Sequence, residues 1–178
     1  MIRLFAALHV PYEIAEGLTR RQQGLAGAQW RPTEAFHITL RFFGEVSEPV
    51  AADLDDALAL IRMKPFEVAL EGAGAFGESE HMRAVWAGVA SSEPLARLAG
   101  KVEAAARKVG LEHEKRVYRP HVTLAYLKHA AAPRVAEWVA EHNLLKSPPW
   151  TATSFGLYSS RLGPDGSRYF LEREYPFP

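Results

Sequence analysis

Two copies of one four-residue pattern carry the side chains best suited to chemistry in this chain. Residues 37–40 are His-Ile-Thr-Leu, and residues 121–124 are His-Val-Thr-Leu. Because the chain has only seven histidines among 178 residues, composition alone does not account for both copies. On a β-strand, residues i and i+2 face the same side. Each copy is therefore predicted to present one imidazole and one hydroxyl together, with the two apolar residues facing the other side.

Two imidazoles and two hydroxyls that face one substrate suit displacement at phosphorus. A neutral histidine can accept a proton from the attacking water, and a protonated one can donate a proton to the leaving oxygen. The ordinary histidine pKa of about 6.5 allows both roles near neutral pH. Threonine hydroxyls can donate to the phosphate oxygens on which charge accumulates. We therefore predict four catalytic residues: His37, Thr39, His121 and Thr123. The near-symmetry of the two copies leaves open which histidine is the acid.

Two arginines beside these copies are candidates for binding phosphate. Arg41 has the same strand parity as His37 and Thr39, and Arg119 has the parity of the second copy. We therefore expect both arginines to face the substrate. A guanidinium group binds phosphate through parallel N–H donors. A solvated surface position is the alternative for each.

Two other interpretations of the histidines are a structural role and a metal site. A hydrogen-bonded structural role is common for one histidine on a half-buried strand, but a matched pair argues against it. A metal would need a third ligand, such as His81, His113 or a carboxylate, and no His-x-His or His-Glu-x-x-His spacing is present. The chain has no cysteine, which excludes disulfides and thiol nucleophiles. We predict neither a metal nor another cofactor.

Composition and charge narrow the class of protein. The 21 basic and 21 acidic residues give a formal net charge of +0, which argues against holding nucleic acid by bulk charge. Hydrophobic residues make up 48% of the chain, as in soluble globular proteins. No apolar run reaches the ~18 residues of a membrane-spanning helix, and the first apolar run is too short for a signal peptide. The expectation is a cytoplasmic protein that does not bind membranes and is a monomer.

Strand and helix patterns alternate around the two copies. Strands are predicted at Ile2–Val10, Phe36–Phe43, Phe66–Leu70, Ala84–Val89, Pro120–Leu127, Thr151–Ser159 and Arg168–Tyr175. Helices are predicted at Tyr12–Leu25, from Glu48, at Glu93–Val109 and at Pro133–Asn143. Residues 72–77 are predicted as a loop, and residues 163–166 as a hairpin turn. Each half has a helix followed by a strand with the pattern, so we expect one α+β domain over residues 1–178, with two similar lobes around a shared cleft.

These segments resemble the two-histidine phosphoesterases, and in particular their RNA 2',3'-cyclic phosphodiesterase or 2'-5' RNA ligase branch. The resemblance is carried by FHITLRFFGEV at residues 36–46 and RPHVTLAYL at residues 119–127. RLFAAL, GAGAFG, RAVWAGV and the C-terminal RLGPDGSRY support it. It implies a bilobal α+β fold with pseudo-two-fold symmetry. Each lobe is then expected to have a mainly antiparallel sheet with helices outside, and the active-site cleft lies between the lobes.

The resemblance also implies an activity and a role for each residue. It implies metal-independent hydrolysis of an RNA 2',3'-cyclic phosphate end, or of a small cyclic nucleotide, to a 2'-phosphate. His37 would then be the acid and His121 the base, with both threonines binding phosphate oxygens. The family often has an arginine where this chain has Tyr126. Arg119 or Arg41 could compensate for that difference.

Two other functions use the same residues. A 2'-5' RNA ligase joins a 2',3'-cyclic phosphate to a 5'-hydroxyl end, which reverses cleavage of a 2'-5' linkage. A non-catalytic module that binds RNA ends or nucleotides would keep the same cleft. The two complete His/Thr pairs argue against the module, and Tyr126 is the feature in its favour.

Overall fold

The computed structural model describes residues 1–178 and contains ten β-strands and four α-helices. The strands are β1 (Ile2–His9), β2 (Ala28–Trp30), β3 (His37–Val46), β4 (Phe66–Val68), β5 (Leu70–Glu78), β6 (His81–Val89), β7 (His121–Leu127), β8 (Trp150–Ala152), β9 (Ser154–Gly163) and β10 (Gly166–Pro176). The helices are α1 (Tyr12–Thr19), α2 (Glu48–Ala59), α3 (Glu93–Lys108) and α4 (Ala132–Glu141). None of these helices has the length and apolar character needed to cross a membrane.

The strands form two four-stranded sheets and one short pair. The first sheet has the order β10-β9-β1-β3, the second has the order β2-β7-β6-β5, and β4 pairs with β8. Every paired strand is antiparallel to its neighbour. The predicted α+β class with antiparallel sheets is therefore confirmed. One copy of the His-x-Thr-Leu pattern lies on β3 in the first sheet, and the other lies on β7 in the second.

Alternation along β3 and β7 separates the apolar from the polar residues of the pattern. Ile38 and Val122 are both 0% exposed and belong to a core cluster of 39 buried residues. Thr39 and Thr123, which follow these two residues, are only partly buried. Burial of the apolar residues against the core stabilises each strand by about 1.5–3 kcal/mol per side chain. This burial fixes the face on which the imidazoles and hydroxyls lie.

Capping residues explain where two of the helices begin. Ser47 accepts a hydrogen bond from the Val50 backbone N–H at the start of α2, and Ser92 accepts one from Leu95 at the start of α3. Each serine is followed by Glu-Pro, and proline is well tolerated in the first turn of a helix. The predicted starts of α2 and α3 are therefore confirmed.

Four details of the predicted elements are wrong. Helix α1 ends at Thr19 rather than Leu25, because the chain turns over residues 20–23 and Gly24 has a φ of +78°. Residues 72–77 form part of β5 rather than a loop. A Cβ at Gly74 would lie 2.3 Å from the Trp86 ring, so glycine is used there to let the tryptophan lie across the strand. The predicted strand Phe66–Leu70 is divided between β4 and β5, and the predicted strand from Thr151 is divided between β8 and β9.

Candidate active site

A cleft of about 1010 Å³ is lined by both copies of the pattern. The structure brings all six predicted site residues to this one cleft: His37, Thr39, Arg41, Arg119, His121 and Thr123. The cleft is also lined by side chains from α3 and from residues 114–119, and by Arg31, Tyr126 and Tyr169. Residues from the first and second sheets therefore meet across one space.

A β-bulge follows the threonine in each copy of the pattern. On β3, Thr39 and Arg41 pair with consecutive residues of β1, so Leu40 has no partner. On β7, Thr123 and Ala125 pair with consecutive residues of β6, so Leu124 has no partner. A bulge bends its strand and redirects the side chains that follow it. The fourth residue of the pattern therefore ends the simple alternation on both strands.

Each imidazole is fixed by a hydrogen bond to the backbone two residues before it. His37 Nδ1 lies 2.8 Å from the Ala35 carbonyl oxygen, and His121 Nδ1 lies 2.6 Å from the Arg119 carbonyl oxygen. A carbonyl oxygen can only accept, so Nδ1 is the donor in both rings. Neither Nε2 has a hydrogen-bond partner within the chain. Nε2 is therefore the ring nitrogen available to exchange protons with a substrate.

Aromatic rings hold the two imidazoles from the side. The His37 ring centroid lies 4.8 Å from that of Phe5 and 5.1 Å from that of Tyr169, with the tyrosine edge-on. The His121 centroid lies 4.8 Å from that of Phe76, also edge-on, and 5.7 Å from that of Trp86. The two histidines thus have similar apolar supports from different sheets, and this packing limits rotation of both rings.

Burial makes both imidazoles harder to protonate. Burial lowers the pKa of His37 to about 4, the hydrogen bond to Ala35 opposes this, and the positive charges of His121 and Arg31 add to the lowering. Burial also lowers the pKa of His121, and the hydrogen bond to Arg119 opposes it. Both rings are therefore neutral at pH 7. A phosphate anion bound between them favours the protonated form and raises both pKa values again.

The threonine hydroxyls are free to bind a ligand. No side-chain hydrogen bond within the chain involves either hydroxyl, and the bond next to Thr39 uses its backbone carbonyl, which accepts from Tyr118 Oη at 2.8 Å. A free hydroxyl beside each imidazole matches the predicted His/Thr pairs. Two hydroxyl donors and two Nε2 atoms consequently face the cleft.

The two predicted arginines occupy different environments. Arg41 lines the cleft, but its guanidinium forms an ion pair of 2.7 Å with Glu103 on α3 and donates to the Glu112 carbonyl oxygen at 2.5 Å. The Arg41 side chain is only 8% exposed. Arg119 also lines the cleft, its side chain is exposed, and its carbonyl holds His121. Of the two, Arg119 has the guanidinium without a protein partner, and the roles of both stay predictions.

Arg31 and Tyr169 lie at the cleft and were not among the predicted site residues. The backbone N–H of Arg31 donates to the Leu124 carbonyl oxygen at 2.8 Å, where the chain leaves β2 alongside β7. Tyr169 comes from β10, at the other end of the sequence. Arg31 lies six residues before His37, and no other local feature of the sequence marks it as a site residue. Strand β2 has only three residues, too few to show a hydrophobic period. Long-range strand pairing brings both residues to the site.

The polar groups of the cleft suit proton transfer and hydrogen bonding to a phosphoryl group. One Nε2 can accept a proton, the other can deliver one, and two hydroxyls can donate to phosphoryl oxygens. No group of three or more histidine, aspartate or glutamate side chains in the molecule is arranged to hold a metal ion.

Comparison with known proteins adds independent information. Residues 10–164 match the model of the 2'-5' RNA ligase superfamily. The chain is 32% identical over 171 residues to the RNA 2',3'-cyclic phosphodiesterase of Archaeoglobus fulgidus, a match that covers 94% of this chain and 96% of that protein. It is 48% identical over 98 residues to the protein of the same name from Aeropyrum pernix, which covers 54% of this chain and 56% of that protein.

The fold is also similar to solved structures. The crystal structure of E. coli LigT complexed with 3'-AMP superimposes with a TM-score of 0.81 at 26% sequence identity. The match covers 99% of this chain and 98% of that chain. The resemblance therefore extends over the whole arrangement of sheets and helices.

Proposed function

Because the chain belongs to the 2'-5' RNA ligase superfamily, we propose that it is an RNA 2',3'-cyclic phosphodiesterase that uses His37 and His121 as a metal-independent acid–base pair. The observation that carries this proposal is the matched orientation of the two rings. Each has Nδ1 bound to the backbone carbonyl two residues earlier, and each leaves Nε2 free in the same cleft. The names of the A. fulgidus and A. pernix relatives support the reaction class.

The proposed reaction replaces one bond to phosphorus with another. Nε2 of His121 accepts a proton from water as the water oxygen attacks the cyclic phosphate. The bond between phosphorus and the 3' oxygen breaks, and protonated His37 delivers its proton to that oxygen. The products are a 2'-phosphate and a free 3'-hydroxyl. Thr39 and Thr123 donate to the non-bridging oxygens, which carry the developing charge.

We assign His37 as the acid from the role that the family resemblance implies. The pKa of His37 is lowered to about 4, by burial first and by nearby positive charge as well. An imidazolium with a low pKa is a strong acid and readily protonates a leaving oxygen. Because this pKa lies below neutrality, the negative charge of the bound phosphate must hold the proton on His37 until the bond breaks.

The first test uses an RNA oligonucleotide that ends in a 2',3'-cyclic phosphate, incubated in EDTA. We expect the wild type to produce a 2'-phosphate. We expect His37→Ala and His121→Ala each to lower the rate by roughly 10²- to 10⁴-fold, because each removes one proton-transfer group. His81→Ala, at an exposed position outside the cleft, is the matched control and should retain full activity.

Three results would contradict the proposal. Loss of wild-type activity in EDTA would show that the reaction needs a metal. A 3'-phosphate product would mean that the other ester bond breaks. Activity that persists in either cleft variant at the level of His81→Ala would remove that histidine from the reaction.

A further inference from the structure

Arg31 is a buried cation without an acidic partner. It is the only charged residue that is buried, with 8% of its surface exposed. No aspartate or glutamate lies within ion-pair distance of it, although Arg41 in the same cleft is paired with Glu103. Burying an unpaired charge is unfavourable, so buried cations normally have an anion beside them. The protein supplies no such anion for Arg31.

Three hydrogen bonds hold Arg31 in place. Its backbone N–H donates to the Leu124 carbonyl oxygen at 2.8 Å, and its own carbonyl accepts from Gln22 Nε2 at 2.8 Å. Its side-chain Nη2 donates to the Ser167 carbonyl oxygen at 2.8 Å. Guanidinium carries five N–H donors, so this one bond positions the group and leaves donors for a ligand. The side chain is therefore ordered before any substrate binds.

Two tyrosines place the Arg31 guanidinium next to the reacting histidine. Its central carbon lies 5.5 Å from the ring centroids of both Tyr126 and Tyr169, within the range of cation–π attraction. Tyr169 is in turn edge-on to His37, with centroids 5.1 Å apart. The charge of Arg31 is also close enough to contribute to the lowered pKa of His37. Only one aromatic ring therefore separates the unpaired charge from the catalytic imidazole.

We propose that Arg31 binds the phosphate that reacts, and that Tyr126 and Tyr169 hold its guanidinium in the required position. This inference rests on the proposed cyclic phosphodiesterase function. A guanidinium group can donate two N–H bonds to the non-bridging oxygens of one phosphate. The phosphate then supplies the countercharge that the protein lacks. Negative charge on these oxygens grows as water attacks, so the contact strengthens in the transition state.

The test compares Arg31→Met and Arg31→Lys with Arg20→Met, an exposed arginine outside the cleft whose loss changes the net charge equally. The substrate is adenosine 2',3'-cyclic phosphate, which contains only the reacting phosphate. We expect Arg31→Met to lower kcat/KM by roughly 10- to 100-fold, since it removes charge-assisted hydrogen bonds. Arg31→Lys keeps the charge and should recover part of the loss. Arg20→Met should match the wild type.

A binding measurement separates a contact with phosphate from a structural effect. By calorimetry, Arg31→Met should weaken binding of adenosine 2'-phosphate by at least about tenfold while leaving the affinity for adenosine unchanged. A merely structural role would weaken both ligands together and would overturn the proposal. A loss seen only with longer RNA would also overturn it, because the contact would then be with another phosphate.

The binding result is independent of turnover. If the wild type binds adenosine 2'-phosphate through Arg31 but does not hydrolyse the cyclic substrate, the assignment of Arg31 to the phosphate stands and the proposed reaction fails. If Arg31→Met binds adenosine 2'-phosphate and turns over the cyclic substrate as the wild type does, the proposal for Arg31 fails.

Discussion

Single residues decide how protons are distributed in the cleft. His37 and His121 share the same backbone tether through Nδ1, but only His37 has the charge of Arg31 close enough to affect its pKa. Both pKa values lie below the ordinary 6.5, and that of His37 is about 4. As the pH rises through this range, both rings lose their protons. The reactive form, with one ring protonated and one neutral, is therefore most abundant at acid pH in the free protein.

We expect kcat/KM for adenosine 2',3'-cyclic phosphate to follow a bell-shaped pH profile with its maximum between about pH 4 and 6.5. The alkaline limb falls because the lowered pKa values leave no proton for the acid. The profile of kcat should lie at higher pH, because bound phosphate raises both pKa values. Initial rates from pH 4 to 9 measure both profiles. A kcat/KM that stays constant to pH 9 would be incompatible with this proton distribution.

The sequence is informative about these residues where local spacing controls geometry. The His-x-Thr spacing places each imidazole beside a hydroxyl because both lie on one strand face before the bulge. The same parity argument predicts that Arg41 faces the substrate. Its guanidinium is instead paired with Glu103, which comes 62 residues later in the sequence. Arg31 depends on contacts with Leu124 and Ser167. No local pattern encodes such contacts.

At the scale of elements, Glu103 on α3 connects the helix to two parts of the site. It pairs with Arg41 of β3 at 2.7 Å. It also accepts from His113 Nδ1 at 3.0 Å and from the Glu114 backbone N–H at 3.1 Å. These bonds order the segment that leads to Arg119, whose carbonyl orients His121. One helical carboxylate therefore supports both motif strands.

Removal of this carboxylate should be costly. We expect Glu103→Ala to lower the free energy of unfolding by about 3–5 kcal/mol, because Arg41 would keep a buried and unpaired charge. Glu93→Ala, which breaks the exposed pair with Arg97 on the same helix, should cost less than about 1 kcal/mol. Urea unfolding measures both values. Similar losses from the two variants would show that the Arg41 pair contributes no more than a surface pair.

The double variant Arg41→Met/Glu103→Leu distinguishes two contributions to stability. One is the cost of leaving Arg41 buried without a partner, and the other is the contribution of the Arg41–Glu103 ion pair. We expect it to regain more than half of the stability lost in Glu103→Ala, since apolar residues can replace a buried ion pair at little cost. Failure to regain stability would place the importance of Glu103 in its bonds to His113 and Glu114 instead.

Strands and helices could be predicted where the sequence has a hydrophobic period or a residue that marks a helix end. Alternation predicted β3 and β7, Glu48-Pro49 predicted the start of α2, and Gly110 predicted the end of α3. Strands β2 and β8 have three residues each, too few for a period. The glycines of β5 favour a loop locally, but the ring of Trp86 needs the space beside Gly74. Tertiary packing decided these cases.

At the scale of the molecule, the charge balance limits how the protein can hold RNA. With 21 basic and 21 acidic residues, there is little general attraction for a long phosphate backbone. The cleft of about 1010 Å³ is lined by three arginines that form no ion pair: Arg31, Arg83 and Arg119. Binding should therefore be concentrated at the RNA end.

We expect the affinity of the inactive His121→Ala variant for RNA with a 2',3'-cyclic phosphate to change little between short and long oligonucleotides. The slope of log K against log salt concentration should correspond to about one to three phosphate contacts, at about 0.7 per contact for a single strand. Fluorescence anisotropy at several salt concentrations measures this, with the same RNA carrying a 3'-hydroxyl as the control. A slope that grows steadily with RNA length would contradict end-directed binding.

The tether from each Nδ1 to the carbonyl two residues earlier has a consequence for how the molecule tolerates change. Each ring receives its tautomer from its own short stretch of chain, so the tautomer of one ring does not depend on the other half of the site. The packing of the two sheets then sets only the width of the gap between the rings. Substitutions far from the cleft are therefore expected to change the distance between the two rings while each ring keeps its tautomer and orientation.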